Sequence, residues 1–341
     1  MTAAPAFLLF FCFCVSCFDC YNCNLMPQAP TRNAGKTIFY EQFGSDGDEP
    51  ILLTMGLGTQ CLAWNEDFIS LLVAKKYRVI RFDNRDVGLS SKYDELGSPN
   101  LVWKIVRKKF LEFFIGPPKG VYSIGDMADD AFDLMDHLKI ESAHIVGASM
   151  GGMIVQHMAI DRPTRVKSMC SIMSTTGEGG LPQADMDVQR AILRKPKTEE
   201  HEKIRDHAIL VNTLIAEPAS PPDDLEKYLD IVLTRCYHPV GAARQISAIL
   251  GTGDRSHALG GLTCNCMVVH GAGDRLVKIE HAHATARAID RGRPGYCRKV
   301  IIEKMGHSLP REFYGQIADA IVSNARGDAK VEDIGLTIVT D

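Results

Sequence analysis

Short apolar runs alternate with longer amphipathic stretches from about residue 35 onward, and this alternation limits what the chain can fold into. Residues 36–43 (KTIFYEQF) mix aromatic and β-branched side chains, as a strand does. After the turn-rich 44–50 (GSDGDEP), residues 51–55 (ILLTM) predict a second strand that ends at Gly56-Leu57-Gly58. A helix is expected over 68–76, a strand over 77–82 (YRVIRF) and a polar loop over 83–91 (DNRDVGLSS). Residues 125–138 set Met127, Ala131, Leu134, Met135 and Leu138 on one helical face. The run 143–146 (AHIV) reads as a strand leading into Gly147. A helix over 150–160 stops ahead of Pro163, which disfavours helical geometry at Arg162, and 166–173 (VKSMCSIM) reads as a strand again.

From about residue 174 to 261 the strand pattern lapses. Charged, helix-prone segments take its place, with Pro-rich punctuation near 217–223. Strands return at 264–270 (CNCMVVH) and 299–303 (KVIIE), followed by a helix over about 311–324. Alternating strands and helices imply an α/β fold: a mostly parallel, doubly wound sheet covered on both faces, with 174–261 as a helical cap. The organisation expected is an N-terminal extension over 1–34, one domain over 35–325 and a polar tail over 326–341.

One pentapeptide carries a specific chemical meaning in this frame. Gly147-Ala148-Ser149-Met150-Gly151 matches G-x-S-x-G, and it falls directly after a strand and directly before a helix. A sharp strand-to-helix turn lifts the Ser149 hydroxyl above the sheet edge, and the flanking glycines permit a close approach that a Cβ would block. A serine hydroxyl is a weak nucleophile until a histidine takes its proton. The chain order expected in this fold is Ser, acid, His. His307 follows the strand at 299–303, and Asp274 follows the strand at 264–270, so both would meet Ser149 at the carboxyl edge of the sheet. Glu178, after the preceding strand, is a rival acid. Backbone N–H groups of Leu57 and Met150 are the candidate oxyanion donors; losing one such donor typically costs ~3 kcal/mol in the transition state.

Other polar residues receive plainer readings. His144 and His270 sit at strand ends and are expected to be structural. Asp83, Asn84, Arg85 and Asp86 are expected to brace their loop through local hydrogen bonds. Asp129, Asp130 and Asp133 read as a solvated helix face, one of which could instead brace a loop. His281 and His283 fall on different faces of a helix and make no metal pair. Gly56-Leu57-Gly58 lacks the third glycine and acidic partner of a dinucleotide site, so no organic cofactor or metal is expected.

Composition changes this picture only at the N-terminus. A formal net charge of −4 and 23 % charged residues give no footing for a nucleic-acid or polybasic membrane partner. Five of the 11 cysteines fall at Cys12, Cys14, Cys17, Cys20 and Cys23, in and just after the apolar run 6–18 (AFLLFFCFCVSCF). That run is shorter than the ~20 residues of a membrane-crossing helix and resembles a signal-peptide core without its basic start. The two readings, secreted or membrane-targeted and cytoplasmic, stay open, and membrane contact is expected only through this segment. The remaining cysteines, including Cys264 and Cys266, read as small core hydrophobes.

With these residues in hand, the chain resembles the α/β-hydrolase superfamily from about residue 36 to 324, and within it esterase-like members similar to aclacinomycin methylesterase. The resemblance rests on MGLGTQ (55–60), RFDNRDVGLSS (81–91), MADDA (127–131), VGASMGGMI (146–154), HGAGDRLV (270–277) and EKMGHSLP (303–310). It implies Ser149, Asp274 and His307 as a catalytic triad and the helical cap. Met55 departs from the pattern, since many relatives place a histidine there. The expected activity is serine carboxylic-ester hydrolysis of a small-molecule ester through an acyl-enzyme. The alternatives are proline-iminopeptidase-like or perhydrolase activity on the same triad, and a non-hydrolytic ligand-binding member of the fold.

Overall fold

The computed structural model describes residues 26–106, 120–194, 198, 200–217 and 225–328. The apolar N-terminal run and the tail beyond 328 lie outside the described residues. Eight strands form one sheet: β1 (Gln28–Pro30), β2 (Thr37–Phe43), β3 (Glu49–Thr54), β4 (Tyr77–Phe82), β5 (Ala143–Ala148), β6 (Val166–Ile172), β7 (Asn265–Gly271) and β8 (Cys297–Ile302). Their order is β1-β2-β4-β3-β5-β6-β7-β8. β2 runs antiparallel to both of its neighbours, and every pair from β4 to β8 is parallel. The carboxyl ends of β3, β5, β6, β7 and β8 therefore open on one edge, where ligands bind in open α/β sheets.

Eleven helices follow in chain order among the described residues: α1 (Glu66–Ala74), α2 (Leu101–Val106), α3 (Ile124–His137), α4 (Met150–Asp161), α5 (Met186–Leu193), α6 (His201–Ile215), α7 (Leu225–Arg235), α8 (Pro239–Gly251), α9 (Ser256–Leu259), α10 (Ile279–Asp290) and α11 (Tyr314–Arg326). No described helix is long and apolar enough to cross a membrane. Five of them, α5 to α9, lie between β6 and β7 without an intervening described strand.

The central strands are apolar on both faces because helices cover both. Along β7, Cys266 and Val268 enter the core under α3, α4 and α10, whereas Met267 and Val269 enter the core under α1 and α11. The period of two divides each strand between two cores, which is why these strands read as continuous apolar runs. Ser123 starts α3 with a capping box: its Oγ accepts from the Asp126 N–H at 3.0 Å, and Asp126 Oδ2 accepts from the Ser123 N–H at 2.7 Å. α4 is buried nearly all round, so its sequence shows no polar face.

Candidate active site

β5 ends at Ala148 and α4 begins at Met150, so Ser149 alone makes the turn. It takes φ 56° and ψ −119°, a backbone conformation disfavoured for any residue with a Cβ. The neighbours hold it there. Its N–H donates to Ile172 O at 2.9 Å, and its carbonyl accepts from Ser174 Oγ at 2.7 Å and the Gly152 N–H at 2.9 Å. A Cβ on Gly147 would lie 2.1 Å from Gly151 O, and one on Gly151 would lie 2.2 Å from Thr54 O. Glycine at both ends of the pentapeptide is thus required by the contact between α4 and the sheet.

The structure brings the three spaced residues into one row. His307 Nε2 lies 2.9 Å from Ser149 Oγ, and His307 Nδ1 lies 2.7 Å from Asp274 Oδ2. An ionised carboxylate only accepts, so Nδ1 carries the proton and Nε2 is left to accept from the serine hydroxyl. Asp274 and His307 are buried and Ser149 is half-buried. Asp274 Oδ1 accepts from the Leu276 and Val277 N–H groups at 2.9 and 2.8 Å, which fixes the carboxylate independently of the histidine. Burial alone would raise the Asp274 pKa, but His307 and the neighbouring His270 imidazole hold it well below the usual carboxylate range. The acid facing His307 is Asp274; Glu178 instead has its N–H turned to Thr176 Oγ1.

The loop after β3 closes the other side. A Cβ on Gly56 would lie 3.1 Å from Ser149 Cβ and 3.6 Å from Ser149 Oγ, so this backbone touches the serine. Met150 occupies the first position of α4, where no carbonyl lies one turn back. Among the described hydrogen bonds, neither the Leu57 N–H nor the Met150 N–H has a protein acceptor. The loop itself is anchored at three points. Asn84 Nδ2 donates to Met55 O at 2.8 Å, the Gly58 N–H donates to Gln245 Oε1 at 2.7 Å, and the Cys61 N–H donates to Asp83 Oδ1 at 2.8 Å.

The residues 83–86 do brace their loop, and they also reach much further than local bonds. Asp86, fully buried, takes a bidentate pair from the equally buried Arg244 of α8, and Tyr122 Oη donates to it at 2.9 Å. Asp83 pairs with Arg235 at the end of α7 at 2.7 Å. Of the three acids on this helix face, Asp130 is the one that braces a loop: it is buried and receives two bonds from Arg85, at 2.5 and 2.8 Å. The Arg85 guanidinium lies over the Tyr93 and Tyr122 rings at 4.8 and 5.1 Å, which brings the neutralising partner inside with it. Asp129 and Asp133 stay at the surface, paired with Arg32 and Arg162.

The four histidines read as structural or as no metal pair have protein partners. His144 Nδ1 meets Ser168 Oγ at 2.8 Å, His270 Nε2 donates to Val277 O at 2.7 Å, and His283 Nδ1 meets Lys299 Nζ at 2.9 Å. His281 spans Thr175 Oγ1 at 2.7 Å and Pro182 O at 2.9 Å. His281 also borders a cavity of ≈ 340 Å³ with Thr175, Ile192, Ile249, Leu276 and Val277. That cavity begins one residue past Ser174 and two past Asp274. Among the described residues, no three His, Cys, Asp or Glu side chains gather to hold a metal ion. Cys264 and Cys266 are buried with free thiols, and Cys266 Sγ lies 3.2 Å from Cys264 O. The sequence reading missed Arg235, Arg244 and Gln245. The only signal for Arg244 and Gln245 is a charged and a polar residue inside the apolar stripe Gly241–Arg244–Gln245–Ala248 of α8, and Arg235 has none.

Comparison with known proteins agrees with this fold. A family model described as alpha/beta hydrolase fold matches residues 49–199. The chain is 27 % identical over 328 residues to rhodomycin D methylesterase from Streptomyces peucetius, covering 88 % of this chain and 99 % of that one. It is 27 % identical over 331 residues to rhodomycin D methylesterase from Streptomyces sp. strain C5, covering 87 % and 98 %. A solved hydrolase from Pseudomonas aeruginosa superposes with a TM-score of 0.64 at 21 % identity, covering 89 % of this chain and 99 % of that one. Sheet order, the strand-to-helix turn and these relatives lead to one conclusion: the chain has the α/β-hydrolase fold and is an enzyme similar to esterase-like hydrolases.

Proposed function

We propose that this protein is a serine carboxylic-ester hydrolase working through an acyl-enzyme. The observation that carries the reading is the continuous hydrogen-bonded row Ser149–His307–Asp274 at the strained turn. In this reading His307 Nε2 takes the Ser149 proton as Oγ attacks the ester carbonyl. Asp274 holds the imidazole in the needed tautomer and stabilises the imidazolium that forms. The N–H groups of Leu57 and Met150 receive the oxyanion. His307 then protonates the leaving alcohol, and water repeats the sequence on the acyl-enzyme. The helices between β6 and β7 act as a cap, and the mostly apolar cavity beside His281 takes an uncharged, apolar part of the substrate. Relatives named methylesterases make methyl esters of bulky carboxylic acids the first substrate class to try.

The test is turnover of p-nitrophenyl and methyl esters by wild type and Ser149→Ala, with a fluorophosphonate probe alongside. The expected result is loss of labelling and a fall in turnover of about 10⁴-fold or more in the variant. Equal turnover by both proteins would overturn the assignment.

A further inference from the structure

Among the described residues, Gln245 is the one buried side chain of the helical insertion that bonds directly to the turn facing Ser149. It is fully buried in α8. Its Oε1 accepts from the Gly58 N–H at 2.7 Å, and its Nε2 donates to Arg85 O at 2.9 Å. The amide therefore spans two loops of the sheet edge, those after β3 and β4, from a helix that belongs to neither.

This bond has a consequence for the neighbouring N–H. The turn offers two donors in succession, Leu57 and Gly58. The Leu57–Gly58 peptide is pinned at both ends: Leu57 O accepts from Thr59 Oγ1 at 3.1 Å, and the Gly58 N–H is taken by Gln245. The preceding peptide is fixed at its oxygen alone, where Gly56 O accepts from the Thr59 N–H at 3.3 Å. A planar trans peptide points its N–H opposite to its C=O, so the Leu57 N–H is turned away from Thr59. Gly58 sits at φ +64°, a left-handed conformation, and Gly56 lies against Ser149. Without Gln245, both peptides of this glycine-rich turn would be held only at their oxygens, by Thr59, and the Gly58 N–H could compete for the charge that Leu57 is placed to receive.

We propose that Gln245 is a positioning residue for the oxyanion hole: by holding the Gly58 N–H it sets the orientation of the Leu57 N–H, so that the hole is completed by the helical insertion. This inference rests on the ester-hydrolase reading above. Preorganised donors act only when they are aimed at the developing charge, so the effect falls on the transition state and not on substrate binding.

The experiment compares pre-steady-state acylation, KM and inhibition by a phenylboronic acid, whose serine adduct is tetrahedral and anionic. Wild type, Gln245→Leu, Gln245→Glu and Thr59→Val are measured, each checked for folding by circular dichroism and Tm. Gln245→Leu is expected to slow acylation about tenfold or more and to weaken boronate inhibition by a similar factor, with KM nearly unchanged. Gln245→Glu keeps the acceptor for Gly58 and recovers most of the acylation rate. Thr59→Val loosens the same peptide from its other end and gives a smaller loss of the same kind. A folded Gln245→Leu with wild-type acylation, or one changed only in KM, overturns the inference. If wild type takes no fluorophosphonate label at Ser149, the ester-hydrolase reading itself fails; intact labelling with unchanged Gln245→Leu kinetics sinks this inference alone.

Discussion

Two clusters of buried charge stand side by side on this sheet edge, and they are built on different terms. In the Ser149–His307–Asp274 row the only permanent charge is one carboxylate, held by two backbone N–H groups and two imidazoles. Beneath the helical insertion, Asp86, Asp83 and Asp130 are each matched by an arginine, with Tyr93 and Tyr122 packed around them. The first arrangement leaves a proton free to move between neutral partners. The second leaves none, because guanidinium stays charged at any ordinary pH and its fork is fixed to the carboxylate. One cluster is suited to chemistry and the other to holding two layers of the molecule together.

The comparison breaks most visibly at the acid of the row. Asp274→Asn should leave the fold intact, because asparagine Oδ1 can still accept from Leu276 and Val277. It should cut ester turnover by about 10³- to 10⁴-fold, because an amide favours the wrong histidine tautomer. A variant retaining near-wild-type kcat would mean that Asp274 orients nothing.

The arginine cluster should respond in stability. Arg244→Met strips the partner from a fully buried Asp86 and is expected to cost about 3–5 kcal/mol in denaturant unfolding. Lys203→Ala, which breaks the exposed Lys203–Glu200 pair, should shift the same curve by under about 0.5 kcal/mol. Equal effects from the two substitutions would erase the distinction drawn here.

Acid sharpens the contrast more gently. Burial would raise the Asp86 pKa, but Arg244, the Tyr93 N–H and the Tyr122 hydroxyl hold it below the ordinary carboxylate value. A depressed folded pKa means that its stabilisation is fully present above the unfolded value of ~3.9 and is lost as pH falls through the folded value. Asp86→Asn should therefore be less stable at neutral pH and show a shallower fall of unfolding free energy below about pH 4. The difference in slope should be at most about 1.4 kcal/mol per pH unit, one proton's worth. An unchanged slope in the variant would mean that other carboxylates carry the acid sensitivity.

The two clusters were also unequally legible in the sequence. Ser149, Asp274 and His307 each follow a strand written as a compact apolar run, and the turn at Ser149 is a local backbone rule spelled by two glycines. β4 could be read to its last residue, because YRVIRF lies between a helical pattern on one side and a polar loop on the other. β5 continues to Ala148, past the point where Gly147 reads as a break. β1 and α2 were not anticipated; three and six residues are too short to display a period. The arginine cluster was hidden for a different reason. Arg244 and Asp86 are 158 positions apart, and an arginine on a helix reads as solvated until its partner is found. On the same ground, nothing local tells which of Asp129, Asp130 and Asp133 turns inward. Pairing across the fold is invisible to any rule of local spacing.

The backbone at Ser149 has a further consequence for how durable this protein can become. A residue with a Cβ held at φ 56° and ψ −119° costs on the order of 1 kcal/mol or more that glycine would not. Ser149→Gly should therefore melt higher than the wild type while doing no work. Selection for heat tolerance alone would favour that inert form, whereas selection for turnover keeps the chain permanently short of the greatest stability its own architecture allows.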